Sequence, residues 1–177
     1  MKNKLLSVII PVFNSEKGII DTLNSIITQK NIETIKEIIE VIIVDNTSTD
    51  NTFTIATSFT NTNDYIKVVK QNLIQSSYAS RNFGVENSVA KYLFFIDSDM
   101  ILSKDCLKLI FEEIKKQQID YAAFNVKMKL ASTSLSSKMN FLRGFNIEGS
   151  ILNNHYTPTC ALLVSKTVFD LVGGFLP

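Results

Sequence analysis

Two aspartates sharing one serine, Asp97-Ser98-Asp99, close the apolar run Tyr92 to Ile96. In extended chain, residues two apart point to the same side, so both carboxylates can aim at one point. Bare, they repel; a divalent cation between Asp99 and a phosphate turns the repulsion into attraction. Hard oxygen ligands of this kind suit Mg²⁺ or Mn²⁺, which typically bind one or two carboxylates plus substrate phosphates. On a leaving diphosphate such an ion acts as a Lewis acid. The plain alternative has one aspartate capping a helix that starts near Ser103 and the other solvated, and a lone D-x-D does not decide between them.

The elements that must position this pair are legible as alternating patterns. Apolar runs at Leu5 to Val12, Val41 to Val44, Ile66 to Val69, Tyr92 to Ile96, Tyr121 to Met128 and Cys160 to Val164 read as strands. Between them, apolar residues recur at helical spacing: Ile19, Ile20, Leu23, Ile26 and Ile27 to about Gln29, then Leu107, Ile110 and Ile114 within Asp105 to Gln117. Ser48, Thr49 and Asp50 are N-cap residues for a helix through Phe59, Ser77 to Val89 is a further helix, and Val168 to Val172 a short one. Near-continuous apolar strands alternating with helices argue for a three-layer α/β/α sandwich around a mostly parallel sheet. Right-handed crossovers would then bring every strand's C-terminal end to one edge, where ligands of such sheets sit. Phe13-Asn14, Asp45-Asn46 and Asp97-Ser98-Asp99 all fall there. The Ser/Thr-rich stretch Ala131 to Lys138 is expected as a mobile loop.

Composition narrows the classes. The 177 residues suit one domain spanning 1–177, and a net charge of +1 gives no reason to expect nucleic acid as a partner. Cys106 and Cys160 lie in no metal-like spacing and read as reduced thiols of a cytoplasmic protein. Met1 to Phe13 mimics a secretion signal, but Pro11 interrupts it and no small-residue cleavage site follows. No window approaches the ~18 apolar residues that span a bilayer.

Four blocks in order, "SVIIPVFNSE", "EVIIVDNTSTDNT", "SRNFGVENSVAKYLFFIDSDM" and "VSKTVFDLVGGF", resemble the family 2 glycosyltransferases, GT-A-fold enzymes that use nucleotide-diphosphate sugars. The resemblance covers Ser7 to Phe175. It implies that Pro11, Val12 and Phe13 line the nucleotide pocket, with the aromatic against the base. It implies that Asp45 hydrogen-bonds the base, usually uracil, and that Arg81 reaches the nucleotide from its helix. Asp97 would lie near ribose and metal, and Asp99 would be the direct ligand of Mn²⁺ or Mg²⁺. The partners so implied are a nucleotide-diphosphate sugar donor, by family habit a UDP-sugar, and a saccharide or lipid-linked acceptor in cell-surface polysaccharide or glycolipid synthesis. The full-length protein would then work at the inner face of the membrane.

Each assignment has a plain competitor: Phe13 as core, Asp45 as a turn residue, Arg81 paired with Glu86, Gly84 as a packing glycine. Gly173-Gly174 reads as positive φ and His155 as a loop histidine. Sugar transfer with inversion also needs a general base. In the family this carboxylate follows the Gly-Gly-Phe segment, and here the sequence stops at Pro177. No residue is assigned that role, Asp170 included. The expectation is a domain incomplete at its C-terminus, which binds a nucleotide with a divalent ion yet transfers sugar poorly or not at all. Two other classes stay open, a non-catalytic nucleotide-binding module and a nucleotidyltransferase. The latter wants a Gly-rich basic loop after the first strand, which "FNSEKG" matches poorly.

Overall fold

The computed structural model describes residues 4–116, 119–127 and 159–176. The chain runs β1 (Leu6–Val12), α1 (Glu16–Ile27), α2 (Ile32–Ile35), β2 (Ile39–Asp45), α3 (Thr52–Ser58), a 3₁₀ turn (Phe59–Asn61), β3 (Ile66–Lys70) and α4 (Ser77–Glu86). It continues through β4 (Tyr92–Ile96), α5 (Cys106–Lys116), β5 (Tyr121–Ala123), β6 (Ala161–Ser165) and α6 (Lys166–Leu171). The strands form one sheet in the order β3-β2-β1-β4-β6-β5.

β1 and β2 are buried at every position, as central parallel strands covered on both faces must be. Period-two alternation decides which face each residue serves. Leu6, Val8, Ile10 and Val12 pack with Ile19, Leu23 and Ile26 of α1 and Leu107 and Ile110 of α5. Ile9 points the other way, into a cluster with Val85 of α4, Phe95 of β4 and Phe169 of α6. The three-layer sandwich expected from the alternation is therefore present. A side chain such as Phe95, fully buried, contributes about 1.5–3 kcal/mol by leaving water.

One topological expectation is corrected. β1 to β4 are mutually parallel, but β6 pairs antiparallel with β4, and β5 antiparallel with β6. The register Ile96↔Ala161 puts the N-terminal end of β6, not its C-terminal end, at the edge where β4 finishes. Hydrophobic pattern does not report strand direction, so the reversal leaves no mark in the sequence.

Several boundaries also shift, each for a visible reason. α1 stops at Ile27, where the Thr28 hydroxyl donates to the Asn24 carbonyl. The buried Gln29 instead bridges to α5: its Nε2 donates to the Ser25 and Ser103 carbonyls and its Oε1 accepts from the Leu107 amide. α4 stops at Glu86 rather than Val89 because the Val89 amide donates to buried Glu40. β5 ends at Ala123, as its partner β6 runs out, with Phe124 N–H donating to the Ala161 carbonyl. Met128, the Ala131 to Lys138 stretch and His155 lie outside the described residues.

Far from the polar ends of β1, β2 and β4, a charged cluster ties the opposite edge. Glu40 Oε1 accepts from Ser7 Oγ at 2.5 Å and Val89 N at 2.8 Å, and its Oε2 accepts from Lys67 Nζ at 3.1 Å. Burial pushes the Glu40 carboxyl up, but those three donors outweigh it and hold it below its ordinary value.

Candidate functional site

At the edge where β1, β2 and β4 end, a cavity of about 840 Å³ opens. Its size falls within the range of small-molecule sites. Pro11, Val12 and Phe13 form one wall, Asp97, Ser98 and Asp99 another, and Arg81 a third. Phe13 is half exposed at the mouth rather than sunk in the core. Of the residues assigned to nucleotide or metal from sequence, Pro11, Val12, Phe13, Arg81, Asp97 and Asp99 line the cavity and Asp45 does not. It lies beneath, 1% exposed, beside the lining residue Asn46.

Local chemistry shapes the floor. Asp45 ends β2, and its Oδ2 accepts from the Ser48 amide at 3.2 Å, so it does hold the turn. Its Oδ1 is buried with no partner. A buried acceptor without a donor is costly, so Asp45 Oδ1 is a strained point just beneath the cavity floor. Asn14 and Thr47 both take positive φ, +48° and +62°. Asn14 then laces the two loops together, its Oδ1 accepting from the Thr49 amide at 2.8 Å and its N–H donating to Ser48 Oγ at 3.1 Å.

The opposite wall belongs to α4. Ser76 caps it, accepting from the Tyr78 and Ala79 amides. Gly84 lets the helix lie close on the sheet: a Cβ there would sit 2.5 Å from Ile9 Cγ2 and 3.2 Å from Val44 Cγ2. The packing reading of Gly84 therefore holds. Arg81, one turn earlier on the same face, reaches the end of β4. Its Nη2 donates to Asp97 Oδ1 at 2.6 Å. The alternative pairing with Glu86 is thus replaced by a pairing across to the strand end. Arg81 is almost wholly buried, and its Nε has no partner.

Neither aspartate caps the following helix, because α5 begins at Cys106, seven positions past Asp99. Asp99 is exposed to the cavity and Asp97 partly so. Among the described residues no group of three or more His, Cys, Asp or Glu side chains could enclose an ion. Two carboxylates on an open cavity fit an ion that draws its remaining ligands from phosphate and water, as Mg²⁺ and Mn²⁺ do. Cys160, at the start of β6, has its thiol pushed up by burial first and by the Asp97 carboxylate second. Burial raises the Cys106 thiol to about 11. Both stay protonated and unreactive near neutrality.

Two supports were missed from sequence. Gly18, in the first turn of α1, lies against the aspartate turn: a Cβ there would meet the Ser98 carbonyl oxygen at 2.7 Å. Asn82 clamps the Gly-Gly-Phe segment, its Nδ2 donating to the Phe175 carbonyl at 2.7 Å and its Oδ1 accepting from the Phe175 amide at 3.0 Å. Gly173 and Gly174 take the positive φ expected of them, +82° and +78°. No spacing rule marks Gly18 or Asn82, whereas the Ser76-Ser77 cap could have been found by its type. Asp170 is held by Lys166, which donates to both its oxygens at 2.9 Å.

Comparison with known proteins agrees with this architecture. A glycosyltransferase AglE of Haloferax volcanii is 30% identical over 171 residues, which is 96% of this chain and 55% of that protein. The poly(ribitol-phosphate) beta-N-acetylglucosaminyltransferase TarS of Staphylococcus aureus is 30% identical over 93% of this chain and 26% of its own length. The chain thus spans between a quarter and a little over half of these relatives. Among solved structures, TarS 1-349 with UDP-GlcNAc superposes with a TM-score of 0.73 at 24% identity, covering 98% of this chain and 48% of that one. A mannosyltransferase of Pyrobaculum calidifontis with GDP-Man and Mn²⁺ superposes with a TM-score of 0.74 at 16% identity over the same shares. These likenesses make the fold GT-A, an α/β Rossmann-like sheet. The model of the glycosyl transferase family 2 matches residues 7–175, so this chain belongs to that family.

Proposed function

We propose that this domain binds a nucleotide-diphosphate sugar, with UDP as the first nucleotide to test, and that it serves transfer of the sugar, with inversion, to an acceptor hydroxyl in cell-surface polysaccharide or glycolipid synthesis. The observation that carries the reading is the convergence, on one cavity, of Asp97, Asp99, Arg81 and the floor beside Asp45. Asp45 Oδ1, buried without a donor just below the floor, would accept the N–H of a base such as uracil once the floor beside Asn46 shifts to uncover it. Phe13 offers a half-exposed ring for that base to pack against.

Asp99, with Asp97 beside it, would hold Mn²⁺ or Mg²⁺ against the diphosphate. The bound ion would neutralise charge on the departing nucleotide diphosphate. The Arg81 guanidinium adds positive charge at the same place, where it is worth more than in water. Inverting transfer forms a bond from the acceptor oxygen to the anomeric carbon as the bond to the diphosphate breaks, and a carboxylate removes the hydroxyl proton. Asp170, engaged by Lys166 on α6, is not placed in that role. The UDP-GlcNAc and GDP-Man complexes of the structural neighbours support the donor class.

Calorimetry with UDP and GDP, with and without Mn²⁺, tests the reading. UDP should bind more tightly with Mn²⁺. Asp99→Ala should abolish the metal-dependent gain, and Asp45→Ala should weaken UDP binding even without metal. Absence of nucleotide binding in the presence of Mn²⁺ would sink the proposal.

A further inference from the structure

Arg81 and Asp97 form the shortest charged contact lining the cavity, 2.6 Å between Nη2 and Oδ1. The guanidinium is not a surface group that could swing aside at no cost: its side chain is 5% exposed, while Asp97 is 40% exposed. Its Nε is buried without a partner, so the Nη2 bond to Asp97 is the polar contact that fixes the guanidinium at the end of β4. The Tyr78 ring, with its centroid 5.7 Å from the guanidinium carbon, adds a wall on that side.

These facts set the charge that a lone metal ion would meet. Asp97 and Asp99 contribute two negative charges and Arg81 one positive, leaving a net of minus one. One oxygen of Asp97 is already committed to a charge-assisted bond. A divalent ion arriving alone finds one free carboxylate and a fixed cation that repels it. A diphosphate reverses both terms, because its negative charge attracts the ion and offsets the guanidinium.

We propose that Arg81 is a resident counter-cation of the Asp97-Ser98-Asp99 turn, which keeps divalent metal from binding alone and makes metal and nucleotide diphosphate bind interdependently. The inference deepens the nucleotide-diphosphate reading and rests on it for the ligand class. Coupling of this kind is reciprocal, so metal strengthens nucleotide binding by the factor by which nucleotide strengthens metal binding. A unit charge one guanidinium length from a divalent ion, in a water-like dielectric, changes affinity on the order of tenfold.

The test measures Mn²⁺ binding from the free-ion paramagnetic resonance signal, in the wild-type chain and in Arg81→Met and Arg81→Lys, each with and without saturating UDP. Wild type should bind Mn²⁺ weakly alone and about tenfold more tightly with UDP. Arg81→Met should bind Mn²⁺ alone about tenfold more tightly than wild type, bind UDP alone less well, and lose most of the coupling. Arg81→Lys keeps the charge and should resemble wild type toward Mn²⁺ alone. A merely structural role for Arg81 would weaken both ligands together and would overturn the inference. So would equal Mn²⁺ affinity in wild type with and without UDP. Should Arg81→Met fail to fold, the wild-type coupling and Arg81→Gln decide: Arg81→Gln removes the charge and should likewise bind Mn²⁺ alone about tenfold more tightly than wild type, and unchanged or weaker binding counts against the proposal. Failure of the nucleotide reading looks different, because UDP then binds no variant while the Mn²⁺-only comparison still decides whether Arg81 repels the ion.

Discussion

Thr47 shows how much the floor of the cavity asks of single residues. A β-branched side chain at φ +62° is unusual, and it follows directly on the Asp45-Asn46 pair that ends β2. The left-handed conformation costs about 1–2 kcal/mol for such a residue, and glycine there would forfeit about 0.5–1 kcal/mol of chain entropy. The hydroxyl's 2.6 Å bond to the Asn46 carbonyl is partial compensation. Thr47→Gly is therefore expected to stabilise the domain by up to about 1 kcal/mol in urea unfolding; a clear loss would mean that the local bond outweighs the strain. At this scale the sequence was informative where residue type meets strand end. Phe13, Asp97 and Asp99, which line the cavity, and Asp45 beneath it were singled out that way, because a polar or half-exposed group at the close of an apolar run is visible in one dimension. The left-handed turns at Asn14 and Thr47 were not, because nothing in a threonine announces its φ.

α1 and α4 act as braces that hold the aspartate turn from two sides. Gly18 of α1 touches the Ser98 carbonyl with no room for a methyl group, while the neighbouring Ser15 hydroxyl can turn away. Alanine at position 18 should favour the helix by about 1 kcal/mol. It should also displace the turn, and ångström-scale misplacement of a ligand-bearing group costs affinity on the order of tenfold or more. Overpacking against backbone costs about 1–3 kcal/mol, more than the helix gain, so Gly18→Ala is expected to lower the melting temperature by a few degrees and to weaken UDP–Mn²⁺ binding in calorimetry. Unaltered binding would show that the turn can retreat freely. Elements were legible in sequence wherever periodicity ran long, as in α1 and α5. Their ends were not, because Gln29 and Val89 are diverted by partners on α5 and β2 that periodicity cannot see. Strand direction at β6 escaped for the same reason.

Across the described residues, the Glu40 cluster and the cavity lie at opposite edges of one sheet. The Glu40 cluster binds β1, β2, β3 and the turn before β4 far from the cavity. Its carboxyl is held below the ordinary value, so its contribution is fully present above about pH 4.5, the reference value. That contribution is lost as pH falls through the lowered folded-state value. Glu40→Gln should cost about 1–3 kcal/mol at neutral pH and flatten the acid limb of a urea-midpoint series; an unchanged acid limb would show that another group governs it. The fold class followed from the alternation of strands and helices, whereas the half-buried Glu40–Lys67 salt bridge needed β2 and β3 in register, Ile42 facing Lys67, before its partners could be seen to meet. The Asn82 clamp has a last consequence. It grips Phe175, 93 positions further along, through backbone atoms alone. For this link any amino acid bearing an N–H serves at the far end. At the near end only a side chain with donor and acceptor side by side will do, so aspartate or leucine would each leave one half of the handshake unanswered. The two ends are therefore constrained differently, the helix by this paired contact and Phe175 by its ring, which packs on Phe95 and Phe169.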